Sequence, residues 1–469
     1  MSRQKPLKSS EQSIPAYSSI TINGESSENI DEVVDNEVVL EFGGPWGVTA
    51  MMIGFPPLMY YLWGCLNFYG GAIVSPLNRD LWKQIIDGAY PTWHATTIYV
   101  LFVLFQLFLA YIMPGPIVQG APVPSLKGRK LDYLCNGLTS WYATLIVSCV
   151  LHLNGWFRLS EVIDEFGHLM TAAIMTAFIL TIMIYVIAVA TNKQHRMSGY
   201  LMYDLFMGAP LNPRIRHVDL KMFAEVRITW VLLFFITISA AVKQYELFGY
   251  VSAPMWFMVL AHFLYTNACM KGEECIPTTW DMTYEKFGFM LIFWNLAGVP
   301  FTYCYSTLYL HISSINNNKP VEHSLGFTVF CYVLLLVGYY IWDTANSQKN
   351  RFRMIMNGTY ISRYAFPQLP WGTLENPTFI KTQQGNLLLT GGWWSIARKI
   401  HYTADLIMAF SWAFITGFET VIPFFYPVFF VIVLIHRVSR DMHRCARKYG
   451  KDWEEYCKKV PYIFIPGVY

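Results

Sequence analysis

The sequence predicts an all-α polytopic membrane protein with about ten transmembrane helices. The chain of 469 residues is 54% hydrophobic and only 14% charged, whereas soluble domains carry about 25% charged residues. Its apolar residues are gathered in runs that are long enough to cross a hydrocarbon core of about 30 Å as a helix. Because lipid offers the backbone no hydrogen-bond partner, these runs are expected to be helical.

Apolar runs that predict single spans begin near residues 46, 96, 138, 169, 228, 251, 287 and 325. The last apolar stretch, 405–435, is interrupted by Gly417, Pro423 and Pro427. Because proline disrupts a helix interior, this stretch predicts two short helices in a hairpin. The eight runs and the hairpin together give the ten spans.

Basic residues concentrate in the connections that this topology places on the cytosolic side, among them 193–227, "QKNRFR" at 348–353 and the carboxyl terminus. The positive-inside rule therefore predicts that both termini are cytosolic. Residues 1–43 have no apolar run and are rich in Ser and acids, which predicts a disordered cytosolic tail rather than a cleavable signal. Residues 44–469 are expected to form one membrane domain.

The formal net charge is only +3, which argues against a nucleic-acid partner and leaves the lipid bilayer as the expected partner. Nine cysteines are scattered without a CxxC pair, so neither a disulfide framework nor a metal site is expected. The sequence has no GxGxxG after a strand, no Walker loop, no HExxH and no GxSxG. A nucleotide bound here would need a site other than a Rossmann domain.

Two cytosolic segments, 346–404 and 436–469, carry polar groups that suit binding. Lys349 and Arg353 are four residues apart and share a helix face, which suits a phosphate or equally a lipid headgroup. The second segment mixes cations with acids and aromatic rings, which favours a binding surface over a pure lipid anchor. Arg437, Arg440 and Lys451 are the cations expected to contact anionic lipid.

Further ionisable groups lie close to predicted spans. Tyr265, Glu273, Glu274 and Asp281 close the sixth span and its following loop, where such groups suggest function because the membrane makes them costly. The alternative is an exposed interfacial loop. The mixed-charge stretch 199–227 predicts either a salt-bridged corner or a direct role, with equal weight.

Two stretches resemble the signatures of the membrane sterol reductases: "GYLMYDLFMGAPLNPR" (199–214) and "LIHRVSRDMHRCARKYGKDWEEYC" (434–457). This family includes the sterol C-14 reductases, 7-dehydrocholesterol reductase and the lamin B receptor. "KGEECIPTTWDM" (271–282) and "ARKIHYTAD" (397–405) resemble most the fungal branch that reduces the 24(28) double bond in the last step of ergosterol biosynthesis.

The resemblance implies an enzyme of the endoplasmic reticulum membrane that takes a sterol from the bilayer and NADPH at its cytosolic carboxyl-terminal half. Contacts with other sterol-biosynthesis enzymes are a further expectation. The positions that match the family's cofactor contacts are Lys349, Arg353, Leu389, Trp394, His401, Tyr402, Asp441, Cys445, Ala446, Arg447, Lys448, Tyr449 and Tyr456. Tyr265 and Asp441 match its proton-relay groups, with Glu273 and Glu274 as alternative acids.

The chemistry fits this resemblance. An unactivated alkene does not accept a hydride first, so protonation must lead. Adding the proton at carbon 28 of an exocyclic methylene places the positive charge on tertiary carbon 24, where hydride from NADPH quenches it. The protein then needs a positioned acid, a dry pocket and ring faces beside the cation.

Three alternatives remain open. The same mechanism serves a reductase of the C-14 or C-7 double bond. The tail "RKYGKDWEEYCKKVPYIFIP" also resembles membrane methyltransferases that use S-adenosylmethionine. A non-catalytic sterol-binding scaffold is the third, because the lamin B receptor belongs to the family, although Lys349, Arg353, Asp441 and Tyr456 are all present here.

Overall fold

The computed structural model describes residues 37–360 and 365–467. Within these residues the chain is mainly helical, and its strands form three two-stranded antiparallel sheets. The predicted all-α class is therefore confirmed apart from these short hairpins. Residues 1–36, most of the segment predicted to be a disordered tail, lie outside the described residues.

The first part of the chain contains seven helices and one hairpin. The strands, β1 (Ile117–Val123) and β2 (Arg129–Leu134), pair antiparallel. The helices are α1 (Gly44–Tyr69), α2 (Arg79–Ala89), α3 (Trp93–Ile112), α4 (Gly137–Leu153), α5 (Glu161–Asp164), α6 (Phe166–Ala190) and α7 (Leu201–Met207).

The second part begins with the strands β3 (Arg214–Ile215) and β4 (Val218–Asp219). They lead into α8 (Leu220–Phe248), which is π-helical over Phe223–Thr229. There follow α9 (Ala253–Lys271), α10 (Trp280–Thr283), α11 (Phe289–Phe293), α12 (Val299–Thr302), α13 (Tyr305–Asn316), α14 (Leu325–Met356), β5 (Phe379–Lys381), β6 (Leu387–Leu389), α15 (Ile400–Phe414), α16 (Phe425–Tyr449) and α17 (Lys451–Lys459).

Among the described residues, five helices are long and apolar enough to cross a membrane: Trp93–Ile112, Phe166–Ala190, Leu220–Phe248, Leu325–Met356 and Ile422–Tyr449. Helix α6 presents Ile179, Ile182 and Val186 to its surroundings, each more than half exposed, as expected of a lipid-facing side. A membrane protein is thus supported. The remaining runs form helices that are shorter, interrupted or less apolar, such as α1 with 26 residues, so the count of ten spans stays a prediction.

The break predicted within 405–435 is confirmed. Helix α15 ends at Phe414, Gly417 adopts a positive φ of 82°, and a 3₁₀ turn over Ile422–Phe424 precedes α16. Pro427 lies in the first turn of α16, where its missing N–H leaves no helical bond unmade. The second helix is not short, however, because it runs 25 residues to Tyr449 and carries the chain into the polar carboxyl-terminal segment.

The basic face of α16 contacts protein rather than lipid. Arg437 Nη2 lies 2.7 Å from Asp281 Oδ2, and Arg440 Nη2 lies 2.6 Å from Glu285 Oε1. Arginines three apart on α16 thus pair with acids four apart in the segment after α9. Acids of the same chain therefore engage both arginines, and the expected contact of these residues with anionic lipid stays a prediction.

Residues 37–43 form an amino-terminal strap that lies against α16. Glu41 Oε2 is 2.6 Å from Arg440 Nη2, Glu37 Oε2 is 3.1 Å from Arg447 Nη1, and the backbone N–H of Glu41 donates to the Tyr203 hydroxyl at 2.9 Å. The boundary placed at residue 43 therefore lies inside the packed part of the chain.

The mixed-charge stretch 199–227 forms a hydrogen-bonded corner, one of its two predicted roles. Asp204 accepts backbone N–H bonds from the two residues at 198 and 199, and Asp219 accepts bonds from the backbone of Lys221 and Met222. The buried Lys221 Nζ donates to the backbone carbonyls of residues 281, 282 and 285 at 2.7 to 3.1 Å. This lysine fixes the position of the acids that α16 pairs with.

We expect Lys221→Met to lower the free energy of unfolding by about 2 to 4 kcal/mol, because three carbonyls lose their charged donor. Thermal unfolding of the purified protein in detergent measures this. Lys193→Met is the matched control, since Lys193 is exposed. Equal midpoints for the two variants would show that Lys221 does not fix this corner.

Candidate active site

A cleft of about 630 Å³, including space open to solvent, lies between α14, the β6 region, α16 and α17. Most of the residues predicted to contact a cofactor line it: Lys349, Arg353, Leu389, Trp394, Asp441, Cys445, Tyr449 and Tyr456. Sequence reasoning missed further lining residues, namely Phe352, Leu387, Leu388, Arg398, Lys399 and Trp453.

Cations dominate one wall of the cleft. Lys349 and Arg353 come from consecutive turns of α14, and Lys399 forms an ion pair with Asp441. Burial alone disfavours the charged form of Lys399, but the neighbouring Asp441 carboxylate outweighs it and holds the pKa of this ammonium above its ordinary value. With Arg398 also present, the wall carries more cations than acids and suits an anionic ligand.

Trp394 forms an aromatic wall of the cleft. Its indole N–H donates to the Ala345 carbonyl at 2.9 Å, and Lys349 Nζ lies 4.2 Å from the centroid of its ring. The His401 ring packs against it at 5.0 Å, and the Tyr402 ring lies 4.1 Å from that of His401. His401 therefore lies next to the Trp394 wall, although neither His401 nor Tyr402 is among the lining residues of the cleft.

A sharp turn at Gly450 closes the cleft. Its φ of 52° and ψ of −119° end α16 and start α17, a conformation that favours glycine. The turn lets Trp453 and Tyr456 of α17 pack on Cys445 and Tyr449 of α16. Burial raises the pKa of the Tyr456 hydroxyl, so this group is a neutral hydrogen-bonding side chain.

The predicted contact run 445–449 only partly faces the cleft. Cys445 and Tyr449 are four residues apart and share a helix face, whereas Ala446, Arg447 and Lys448 are not among the lining residues. Arg447 instead pairs with Glu37 of the strap. The prediction of five consecutive contacts did not take into account that neighbouring residues of a helix point in different directions.

Tyr265, the predicted proton donor, is buried in α9 with 7% of its surface exposed. Its hydroxyl donates to Asp405 Oδ2 at 3.4 Å. Its ring stacks on Trp342 at 5.1 Å and lies 4.5 Å from Trp230 and 5.8 Å from Trp412. The Tyr265 hydroxyl is thus buried among aromatic faces.

One face of α14 runs from the aromatic residues around Tyr265 to the cleft. Trp342 contacts Tyr265, Ala345 accepts the Trp394 bond, and Lys349 lies over the Trp394 ring. Positions 342, 345 and 349 follow the helical period, and seven residues of helix rise about 10 Å. The buried Tyr265 and the cationic cleft therefore lie at two ends of a short length of one helix.

The other predicted acids have different partners. Glu273 is buried, with Oε1 2.8 Å from Arg227 Nη2 and Oε2 accepting from the backbone N–H of Gly137 at 2.6 Å. Glu274 follows it in the 3₁₀ helix Glu273–Thr278 and is partly exposed. The contacts of Glu273 are those of a structural ion pair.

Asp405 is a site residue that sequence reasoning missed. It lies in "ARKIHYTAD", which carried the resemblance, at the start of the apolar stretch 405–435. An ionisable group at such a position was a usable signal. Its pairing with Tyr265 depends on the packing of α15 against α9 and α14.

The fold and the site together define a helical membrane protein that has a cationic cleft and, near it, a buried tyrosine–carboxylate pair. Residues 36–469 match the model of the ergosterol biosynthesis ERG4/ERG24 family. The chain belongs to this family, as its two signature stretches predicted, and the methyltransferase alternative is left without support.

The relatives are themselves sterol reductases. A Delta(24(24(1)))-sterol reductase of Gibberella zeae is 46% identical over 93% of this chain and 74% of its own. A Delta(24(24(1)))-sterol reductase of Aspergillus fumigatus, erg4A, is 45% identical over 92% of this chain and 93% of its own. A Delta(14)-sterol reductase of Methylotuvimicrobium alcaliphilum is 37% identical over 94% and 99%.

For the Glu273 carboxylate we expect a structural role. Glu273→Gln should lower stability by about 3 to 5 kcal/mol, because it leaves Arg227 buried without its counter-charge, while sterol reduction per folded molecule stays near that of the parent. Thermal unfolding and turnover normalised to folded protein measure the two effects. Loss of turnover at unchanged stability would instead make Glu273 an acid of the reaction.

Proposed function

We propose that this protein reduces the 24(28) double bond of a methylene sterol with NADPH, the last step of ergosterol biosynthesis, in the endoplasmic reticulum membrane with both termini cytosolic. Carbon 28 is also numbered 24(1), so this is the bond named for the Gibberella and Aspergillus relatives. The observation that carries the proposal is the single face of α14 that joins a cationic cleft to the buried Tyr265.

The residues of the cleft fit NADPH. Lys349 and Arg353 would hold its phosphate groups, since a guanidinium fork binds phosphate through paired hydrogen bonds. Arg398 adds positive charge to this wall, but its guanidinium donates to Cys457 Sγ and to the Pro461 carbonyl. Trp394 and Leu389 offer flat and apolar surface for its rings. When bound, the cofactor supplies the hydride that completes the reduction.

In the proposed mechanism Tyr265 gives its proton to carbon 28, and the rings of Trp230 and Trp342 face the cation that develops at carbon 24. Their apolar surroundings exclude water, which would otherwise trap the cation. Asp441 holds Lys399 in the wall of the cleft. Because an ion pair favours the ionised carboxylate, Asp441 serves cofactor binding better than proton donation.

Reduction of a 14-unsaturated sterol is the second candidate, because relatives such as that of Methylotuvimicrobium alcaliphilum are named Delta(14)-sterol reductases. Its substrate would present a ring carbon rather than a side-chain carbon to Tyr265. The chemistry of proton and hydride addition is the same for both bonds, so sterol analysis is needed to separate them.

Cells that lack the protein should accumulate 24(28)-methylene sterols, as measured by mass spectrometry of total sterols. The parent protein should restore the reduced product, whereas Tyr265→Phe should not, because phenylalanine keeps the ring contacts and removes the transferable proton. Accumulation of 14-unsaturated sterols would favour the second candidate. Full restoration by Tyr265→Phe would exclude Tyr265 as the donor.

Arg353→Met should weaken NADPH binding by about tenfold or more, through loss of a charge-assisted bond to phosphate. NADPH-dependent protection against thermal unfolding measures the affinity, and S-adenosylmethionine should give no protection. Arg351→Met is the matched control, since Arg351 donates to Thr373 and does not line the cleft. Equal affinities in the two variants would remove Arg353 from the phosphate site.

A further inference from the structure

We propose that Asp405 and His401 form a route that resupplies Tyr265 with protons from the cytosolic cleft. This inference rests on the proposed function, in which Tyr265 donates a proton in each turnover. Such a buried hydroxyl must be reprotonated before the enzyme can act again. Bulk water does not reach it directly, because Tyr265 is 7% exposed.

The inner step of the route is the contact between Tyr265 and Asp405. The Tyr265 hydroxyl lies 3.4 Å from Asp405 Oδ2, and Asp405 is 6% exposed. The Trp342 side chain also interacts with this carboxyl group. The second oxygen, Oδ1, is buried without a hydrogen bond of ordinary length within 37–360 and 365–467, so the proposed route brings its proton to this atom.

The outer step is His401, one helical turn before Asp405 on α15. Residues four apart lie on the same helix face, about 6 Å apart along the axis. The ring packs against Trp394 of the cleft wall at 5.0 Å, and Nδ1 is buried without a partner among the described residues. One water between His401 and Asp405 would bond to both orphaned atoms, as buried waters do.

The other acids considered for proton delivery are engaged elsewhere. Asp441 is paired with Lys399, and Glu273 with Arg227 and the backbone of Gly137. In the described part of the chain, the Tyr265 hydroxyl donates to the carboxylate of Asp405. It also lies on the helix that leads from this hydroxyl to the cleft.

The protons and electrons balance. In each turnover the Tyr265 O–H bond breaks and a C–H bond forms at the alkene, after which hydride from NADPH forms the second C–H bond and leaves NADP⁺. The Asp405 carboxyl group then gives its proton to the phenolate, and a solvent proton that enters through His401 restores the carboxyl. The net reaction consumes one NADPH and one solvent proton.

The test separates the first turnover from the later ones. Purified enzyme mixed rapidly with excess NADPH and a methylene sterol in detergent should show, for His401→Phe, one equivalent of NADPH oxidised at a rate within about threefold of the parent. Later turnovers should slow by about 100-fold, a loss typical of impaired proton transfer. The steady-state rate of this variant should also show a larger solvent deuterium isotope effect than that of the parent.

Asp405→Asn is the second variant, and it should show the same burst followed by slow turnover, while Asp405→Glu keeps a transferable proton and should restore turnover in part. Thermal protection by NADPH reports folding and cofactor affinity in each case. Ser411→Ala is the matched control, because Ser411 is buried on α15 and donates only to the local Met408 carbonyl. It should behave like the parent.

The outcomes distinguish this inference from the proposed function. If Tyr265→Phe is inactive while His401→Phe and Asp405→Asn keep the parent's steady-state rate and isotope effect, the route is overturned and the proposed function stands. If Tyr265→Phe is fully active, the proposed donor fails and the route fails with it. A first turnover slowed as much as later ones, at unchanged NADPH affinity, would also overturn the route.

Discussion

The ion pairs between α16 and the segment after α9 are the constraint on which the site depends. Arg437 and Arg440 bind Asp281 and Glu285, while neighbouring positions of α16 supply Asp441 and the lower wall of the cleft. Helix α9, which precedes those acids, carries Tyr265, the proposed proton donor. Because the two acids are largely buried, removing either arginine would be costly, and these contacts hold α16 and the segment after α9 in register.

The arrangement separates two environments that the reaction needs and that oppose each other. A phosphate-bearing cofactor requires charge and access to water, whereas a developing carbocation requires a dry surrounding of ring faces. In the proposed function, Lys349 and Arg353 serve the first, and Tyr265 with Trp342 serves the second. Because one face of α14 connects the two environments, strong electrostatics in the cleft can coexist with a dry surrounding at Tyr265.

Local sequence patterns were sufficient for the helical class and the break near Gly417, because each follows from periodicity or breaker residues. The spacing of Lys349 and Arg353 left a phosphate and a lipid headgroup equally open. Similarity to the family supplied these two positions together with Trp394 and Tyr456. Local patterns could not predict which groups the charged residues pair with. Whether Arg437 meets lipid or Asp281 depends on which helices pack together, and no spacing within α16 encodes that. The Tyr265–Asp405 contact also depends on which helices pack together, since the two residues are 140 positions apart in the sequence.

A helix that serves both a bilayer and an enzymatic cleft also determines how the enzyme responds to its membrane. Spans tilt when the hydrocarbon thickness changes, and sterol-rich bilayers are thicker than others. Trp342 and Lys349 belong to one continuous helix, so a tilt of this helix carries both residues together. In the proposed function, the spacing between Tyr265 and the cofactor cleft would then change little when sterol accumulation thickens the membrane.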